Sequence, residues 1–394
     1  MNRRDTLKIL ATLPLASMAG GLLAAPASKT RLLLVFLRGG YDAANLLVPI
    51  SSGFYYEARP NIAIPRPGTD LDSALMLNAD WGLHPVLRET IYPLFTSGQV
   101  AFIPFAGTED TSRSHFETQD SIELGQPLDG SRDYRSGFLN RLAATLNGVG
   151  AISFTNQLPL ILQGSVQVPN VALQSIGKPA IDTRQSKLIA SMYKGTALAR
   201  QVTEGFAVRD DMTREMAGEM DSDNRNAITA KGFELEARRI ARLMKDKYNI
   251  GFVDVGGWDT HVGEGGATGY LAGRLDELGR GLAAFAQEMG NDWHDTVTVV
   301  VSEFGRTFRE NGNRGTDHGH GSVFWVLGGS IRGGQVLGEQ VRLEQATLFQ
   351  NRDYPVLNEY RAVLGGLFAR IYGLNAGQID HIFSGAKARD LGIV

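Results

Sequence analysis

The residues best suited to chemistry fall in a few short, glycine-rich stretches. Asp317-His318-Gly319-His320-Gly321 places two of the chain's seven histidines within three residues. Asp259-Thr260-His261 follows Gly256-Gly257 and sets a carboxylate and an imidazole two apart. In an extended turn, both would point to the same side. Ser114-His115 joins a hydroxyl to an imidazole, Glu303 and Arg306 share a third stretch, and Asp42 follows Gly39-Gly40. Each signal is weak alone, since a turn can carry an idle Asp or His. Together they offer oxygen and imidazole donors with no thiol, because the chain has no cysteine. Such a set suits one or two divalent ions: zinc, manganese, magnesium or calcium. The candidate ligands are Asp42, His115, Asp259, His261, Glu303, His318 and His320, with His115 either a ligand or a partner behind one. A serine beside such a centre fits metal-assisted ester hydrolysis. Ser114 is the candidate nucleophile, and Arg306 the candidate clamp for an anionic substrate. The plainer alternatives are a helix cap for Ser114 and a loop-holding salt bridge for Arg306. His84, His294 and His381 lie away from these stretches and read as ordinary.

Each stretch follows an expected strand. Residues 296–301 are an unbroken β-branched run, apolar on both faces. This reads as a central strand of a parallel sheet. Arg31–Leu37 precedes Asp42, residues 100–105 precede Ser114, and Ile250–Val255 precedes Asp259. In open α/β sheets, sites form beyond the carboxyl ends of the strands. All four strands are therefore expected in one mainly parallel sheet, with these ends on one edge. Ser114-x-x-Glu117 reads as a capping box that starts a helix after Ser114. Helical spacing is expected over 84–95, 137–146, 183–202, 221–248, 270–289 and 355–373. Short extended segments are expected over 45–50, 151–154, 158–162 and 322–327, and 51–80 reads as irregular.

At 394 residues the chain suits one large domain or two modest ones. Net charge is −3, with no basic stripe, so nothing marks a nucleic-acid binder. Residues 1–27 carry Arg3-Arg4, an apolar run and Ala25-Pro26-Ala27. This reads as a twin-arginine-type signal peptide, too short and glycine-rich for a lasting membrane span. The mature chain, 28–394, is expected to be periplasmic or secreted, as a single α/β domain with a helical insertion around 183–248.

Several marks now stand together: the signal, Ser114-His115-Phe116, Asp259-Thr260-His261, Ser302-Glu303-Phe304-Gly305-Arg306-Thr307 and Thr316-Asp317-His318-Gly319. Across nearly all the mature chain, the sequence resembles the exported family called domain of unknown function 1501. That family is grouped with the alkaline-phosphatase-like superfamily. The resemblance implies an α/β/α sandwich with a mainly parallel central sheet and a metal site at the strand ends. It implies that Asp42 takes the role of the Asp after the first strand, and Ser114 that of the nucleophile at a helix N-terminus. It implies that Asp259 and His261 bind one metal, completed by His318 or His320. Where many superfamily members show an Asp-His pair, this chain has Glu303-Phe304. Phenylalanine cannot ligate, so a second metal is expected to be weak or absent. The sulfatase signature is missing, which argues against a formylglycine enzyme. The implied activity is an exported metal-dependent hydrolase of phosphate or sulfate esters, acting on a small anionic ester or a surface glycan. The rival is a non-catalytic exported binding or assembly protein that keeps a metal site on a hydrolase fold. An isomerase or mutase ranks third. The exported domain of unknown function 1800 family is the implied partner.

Replacing Arg3 and Arg4 with lysine is expected to block export and leave uncleaved precursor in the cytoplasm. Immunoblots of cell fractions read this directly, and normal export of the double variant would remove the twin-arginine reading.

Overall fold

The computed structural model describes residues 29–173, 183–196, 198–200, 202–203, 206 and 232–394. The signal segment and residues 207–231 of the expected insertion lie outside them. The strands are β1 (Arg31–Leu37), β2 (Leu47–Val48), β3 (Leu75–Met76), β4 (Gly82–Leu83), β5 (Val100–Gly107), β6 (Ala151–Ser153), β7 (Ile250–Val255), β8 (Thr296–Ser302), β9 (Ser322–Gly328), β10 (Gln335–Val336) and β11 (Asn358–Glu359). The helices are α1 (Ala43–Leu46), α2 (Gly53–Ala58), α3 (Ile91–Thr96), α4 (His115–Leu124), α5 (Phe138–Leu146), α6 (Thr183–Met192), α7 (Phe233–Asp246), α8 (Tyr270–Met289), α9 (Tyr360–Tyr372) and α10 (Ala376–Ile382).

One large sheet runs β10-β5-β9-β8-β1-β7-β6, with β11 added beside β5. β1 pairs in parallel with β7 and β8, and β6 with β7; β10 and β11 pair in parallel with β5. β9 alone runs the other way, antiparallel to both β5 and β8. The expected strands β1, β5, β7 and β8 therefore point the same way, and their carboxyl ends share one edge. β9 starts at that same edge, so the loop leading into it also arrives there.

Side-chain alternation along each strand builds two cores. Leu33, Val35 and Leu37 of β1 face one core, together with Trp325 and Leu327 of β9 and the inner faces of α7 and α8. Leu32, Leu34 and Phe36 face the other, which holds buried residues of α5, α9 and α10. Both faces of the sheet are covered, which is why its strands are apolar throughout rather than alternating. The architecture is the expected α/β/α sandwich with a mainly parallel central sheet. α7 shows how its layer is made. Phe233, Ala237, Ile240, Ala241 and Met244 recur at helical spacing and are buried, while the charged positions between them face outward.

Several local expectations change. Residues 43–46 form a short helix, and only Leu47–Val48 are strand. The helix expected over 84–95 is split into a 3₁₀ turn, Pro85–Leu87, and α3. His84 caps the turn by accepting from Val86 N, and Pro85 supplies the fixed backbone angle of its first residue. Residues 160–162 form a 3₁₀ turn rather than a strand. The last long helix starts at Tyr360, where the Glu359 side chain accepts from Ala362 N. β5 carries Pro104 beside a register shift, and Phe105 there has φ +55°. Proline lacks a ladder donor, so a bulge is where a strand tolerates it, and the kink turns the chain toward the site.

At the end of β1 the chain turns on Gly39 and Gly40, with φ +125° and +60°. A Cβ on Gly40 would enter the Phe304 ring. Gly40→Ala should destabilise the fold by more than about 1 kcal/mol from the left-handed backbone alone, with ring displacement adding to it. An unchanged urea midpoint would contradict this.

Candidate metal centre

Five loops meet at the shared sheet edge: 38–42 after β1, 108–115 after β5, 256–261 after β7, 303–306 after β8, and 317–320 before β9. The last two are locked together. Arg306 and His318 form an antiparallel bridge, Gly305 N donates to His320 O at 3.0 Å, and Gly319 N donates to Gly305 O at 2.9 Å. Gly319 is required there, because a Cβ would run into the Arg306 backbone.

Three acceptor atoms come together, with a fourth, His261 Nε2, beside two of them. His318 Nε2 lies 3.0 Å from His115 Nε2 and 3.1 Å from His261 Nε2. Asp259 Oδ1 lies 3.0 Å from His261 Nε2, 3.3 Å from His318 Nε2 and 3.7 Å from His115 Nε2. Ligands about 2.0–2.1 Å from a tetrahedral ion stand about 3.3 Å from one another, and these spacings bracket that value. His115, Asp259 and His318 meet the spacing of a metal triad as a set, and His261 borders it.

The other ring nitrogens explain which atoms face inward. His115 Nδ1 lies 2.8 Å from Glu303 Oε1, His318 Nδ1 lies 3.0 Å from the Arg113 carbonyl, and His261 Nδ1 lies 3.1 Å from Asp317 Oδ1. Each partner accepts, so each Nδ1 donates in the neutral ring and each Nε2 presents a lone pair. This is the arrangement that metal-ligating histidines use. His318 is held below the usual imidazole range by burial, with the nearby charge of His115 adding to it. Burial alone would raise Asp259, but the hydrogen bond and charge of Arg306 outweigh it and hold the carboxyl low. The donor set, its spacing and its tautomers fit a divalent ion.

Of the seven expected ligands, His115, Asp259, His261 and His318 converge. Three do not, each for a visible reason. Asp42 is buried, and both its oxygens accept from the Arg59 guanidinium, with Arg59 NH2 2.9 Å from Oδ1; it also caps α1. Glu303 stands behind His115 rather than in the centre. Its Oε1 accepts from Gly39 N, His115 Nδ1 and Gln119 Nε2, each at 2.8 Å, and Ser302 Oγ lies 2.8 Å from Oε2. Burial would raise this carboxyl, yet the hydrogen bonds of His115 and Gln119 lead those that hold it low. His320 is buried, with its ring 4.7 Å from that of Phe349, and burial lowers it to about 4. The open choice between His318 and His320 thus falls to His318.

Arg306 does not project outward as an anion clamp. Its side chain is fully buried and donates to the carbonyls of Gly40, Gly39, Trp258 and Thr316 and to Asp259. It fixes the loops that carry Asp259 and His318. Ser114 is the N-cap of α4, but the expected capping box does not form, since its side chain makes no cap hydrogen bond. That leaves the hydroxyl unbound to the helix it precedes. Phe304 packs beside the centre, 4.9 Å from the His115 ring and 5.1 Å from the His318 ring.

Sequence reasoning missed the partners behind the ligands. Asp317 was adjacent to His318 and detectable. Gln119, one helical turn after His115, was less so. The Arg113 carbonyl carries no sequence signal at all.

No curated protein matches the chain. Among solved structures, it is similar to a protein of the alkaline phosphatase superfamily from Vibrio parahaemolyticus. That match has 12% identity and a TM-score of 0.38, and covers 91% of this chain and 78% of that one. It is also similar to Ps i-CgsB in complex with k-i-k-neocarrahexaose, at 10% identity and a TM-score of 0.36, covering 92% and 75% of the two chains. At such distances no activity carries over from either. The model of a family described as protein of unknown function (DUF1501) matches residues 29–383. With nearly the whole described fold inside that match, the chain belongs to the DUF1501 family.

Proposed function

We propose that this protein is an exported hydrolase of anionic phosphate or sulfate esters, dependent on one divalent ion held by His115, Asp259 and His318, with His261 as a fourth donor. The observation that carries the reading is the triad of His115 Nε2, His318 Nε2 and Asp259 Oδ1 at metal-ligand spacing, with His261 Nε2 bordering it and every Nδ1 anchored. An imidazole-rich set favours zinc over magnesium or calcium, which prefer oxygen donors. When bound, the ion supplies Lewis-acid polarisation of an ester oxygen.

The chain's own groups supply the rest. Ser114 offers a hydroxyl next to His115 in sequence, at the start of α4, where the helix N-terminus favours developing negative charge. Glu303 orients His115 through Nδ1, and Asp317 does the same for His261. Phe304 walls one side of His115 and His318, which limits water there.

The second reading, a binding or assembly protein with a metal site and no turnover, is favoured by a different observation. Asp42 is committed to Arg59, and Arg306 to backbone carbonyls and Asp259. Among the described residues, one cluster has metal-ligand spacing, and Phe304 stands beside it. The sequence pattern at the N-terminus supports action outside the cytoplasm in either case, and a partner of the domain of unknown function 1800 family fits the second reading best.

Metal-free protein should take up about one zinc ion per chain, and Asp259→Ala should abolish tight uptake in a chelator-competition titration. Ser114→Ala should keep zinc and lose hydrolysis of nitrophenyl phosphate or sulfate. Retained hydrolysis in that variant would remove the serine, and no hydrolysis by the wild type would favour the binding reading.

Zinc affinity should also fall as pH drops through the imidazole range near about 6.5, because protons compete for the same Nε2 lone pairs. The lowered His318 should keep its nitrogen available to lower pH than an ordinary histidine. Affinity that stays flat from neutral pH to pH values well below that range would argue against histidine ligation.

A further inference from the structure

Behind the centre lies a cluster of ionisable groups for which the chemistry above has no use. Glu264, three residues after His261, is fully buried. Its Oε2 accepts from Thr260 Oγ1 at 2.9 Å and from Thr316 Oγ1 at 2.7 Å. Thr260 lies between Asp259 and His261, and Thr316 stands two residues before His318. Thr316 N also donates to Thr260 O at 3.0 Å, so the two loops are joined behind their metal-facing atoms, in addition to the His261–Asp317 contact at the rings.

The remaining oxygen, Glu264 Oε1, is buried and receives no hydrogen bond. The Asp42 carboxylate is its charged neighbour. Arg59 grips both oxygens of Asp42 and holds that carboxyl low against the effect of burial. Burial, reinforced by the charge of Asp42, holds Glu264 well above the ordinary carboxyl range. Glu264 is thereby biased toward its neutral form beside Asp42. Arg59 extends the cluster to a third loop, donating to Phe308 O at 2.7 Å and Thr307 O at 3.0 Å.

We propose that Glu264, buried and accepting from both Thr260 and Thr316 through one oxygen, is a positioning residue that sets the register of the two ligand loops. It rests on the metal reading above, but its geometry does not involve the ligands themselves. Removing the clamp would let the Asp259–His261 loop and the Thr316–His318 loop slide against each other.

Glu264→Gln keeps an acceptor for both threonines. Glu264→Met keeps the bulk and removes the acceptor. In zinc titrations of the full metal-free chain, at a temperature where circular dichroism shows each variant folded, Glu264→Gln should bind like the wild type. Glu264→Met should bind about 10–100-fold more weakly, the usual effect of losing a group that orients ligands. A purely structural role would lower the melting temperature and leave the affinity of the folded protein alone. Wild-type affinity in Glu264→Met, or equal losses in both variants, overturns the proposal. If Glu264→Met does not fold, Thr316→Val removes one clamp hydroxyl at nearly constant size. It should weaken zinc binding, and unchanged affinity is again fatal to the proposal. If the wild type takes up no zinc, the metal reading fails on its own. The clamp is then read from the imidazole ¹H–¹⁵N resonances of His261 and His318. These should shift in Thr316→Val and hold in Glu264→Gln, and unmoved resonances in Thr316→Val overturn the clamp.

Discussion

Asp259 Oδ1 and His318 Nε2 each stand 3.0–3.7 Å from the Nε2 atoms of His115 and His261, and this crowding of bare acceptors dictates much of what surrounds it. Facing lone pairs repel, and a carboxylate oxygen among them adds negative charge. Arg306 relieves part of this by donating to Asp259. The remainder must be resisted by groups that prevent the rings from rotating away. Each ring has its own anchor, and each anchor is itself held. Glu303 is fixed by donors from β1's turn and from α4. Arg113 sits at φ +54°, an uncommon angle for a non-glycine residue. Its guanidinium grips the buried Asp353, with Nε and NH2 2.8 and 2.7 Å from Oδ2, so its carbonyl stays aimed at His318. Such pre-organisation is what a centre needs if its ligands are to meet an ion without rearrangement.

The sheet makes the convergence affordable in chain length. Parallel strands return every carboxyl end to one edge, and β9, running the other way, begins there. Residues as far apart in sequence as His115 and His318 therefore reach one point through short loops. The two cores on either face fix the strands relative to each other, so loop geometry inherits the rigidity of the sheet. Gly39 and Gly40 let the chain leave β1 tightly enough for Phe304 to pack over the turn.

Much of this was legible in the sequence. The β-branched run at 296–301 and the apolar runs at 31–37 and 250–255 gave strands with nearly correct limits, because burial on both faces leaves no other reading. The Asp259–His261 spacing correctly implied two side chains on one side. Three ligand assignments were not legible, and the cause is the same each time. A carboxylate at a strand end can face out toward an ion or back toward a cation elsewhere in the chain. Asp42 turns to Arg59, a residue in a stretch that reads as irregular. Glu303 turns to His115, Gln119 and a backbone amide. Only the packing that brings those partners near decides the direction. His320 is similar: its spacing from His318 in an extended loop suggested a shared face, but its ring is drawn under Phe349. The Ser114 cap failed as an expectation because a Ser-x-x-Glu pattern fixes the helix start without fixing what the hydroxyl does.

The fate of Asp42 bears on how many ions the site can hold. The resemblance assigned it a metal, which would balance its charge at the end of β1. Here that balance comes from Arg59, the residue that follows α2 and is buried together with Asp42. A buried carboxylate with a guanidinium on both oxygens has little to gain from an ion, and displacing Arg59 would strand an unpaired charge in the interior. Beside this pair, burial and the charge of Asp42 hold Glu264 well above the ordinary carboxyl range, since a second ionised carboxyl would leave the cluster with net negative charge. Phe304 closes the same side with an aromatic face. Together these residues turn the region next to the four acceptors into a self-neutralised scaffold. The open donors are then those of His115, Asp259 and His318 with His261 beside them, and the apolar face of Phe304 lowers the local dielectric, which strengthens the charge interactions among them.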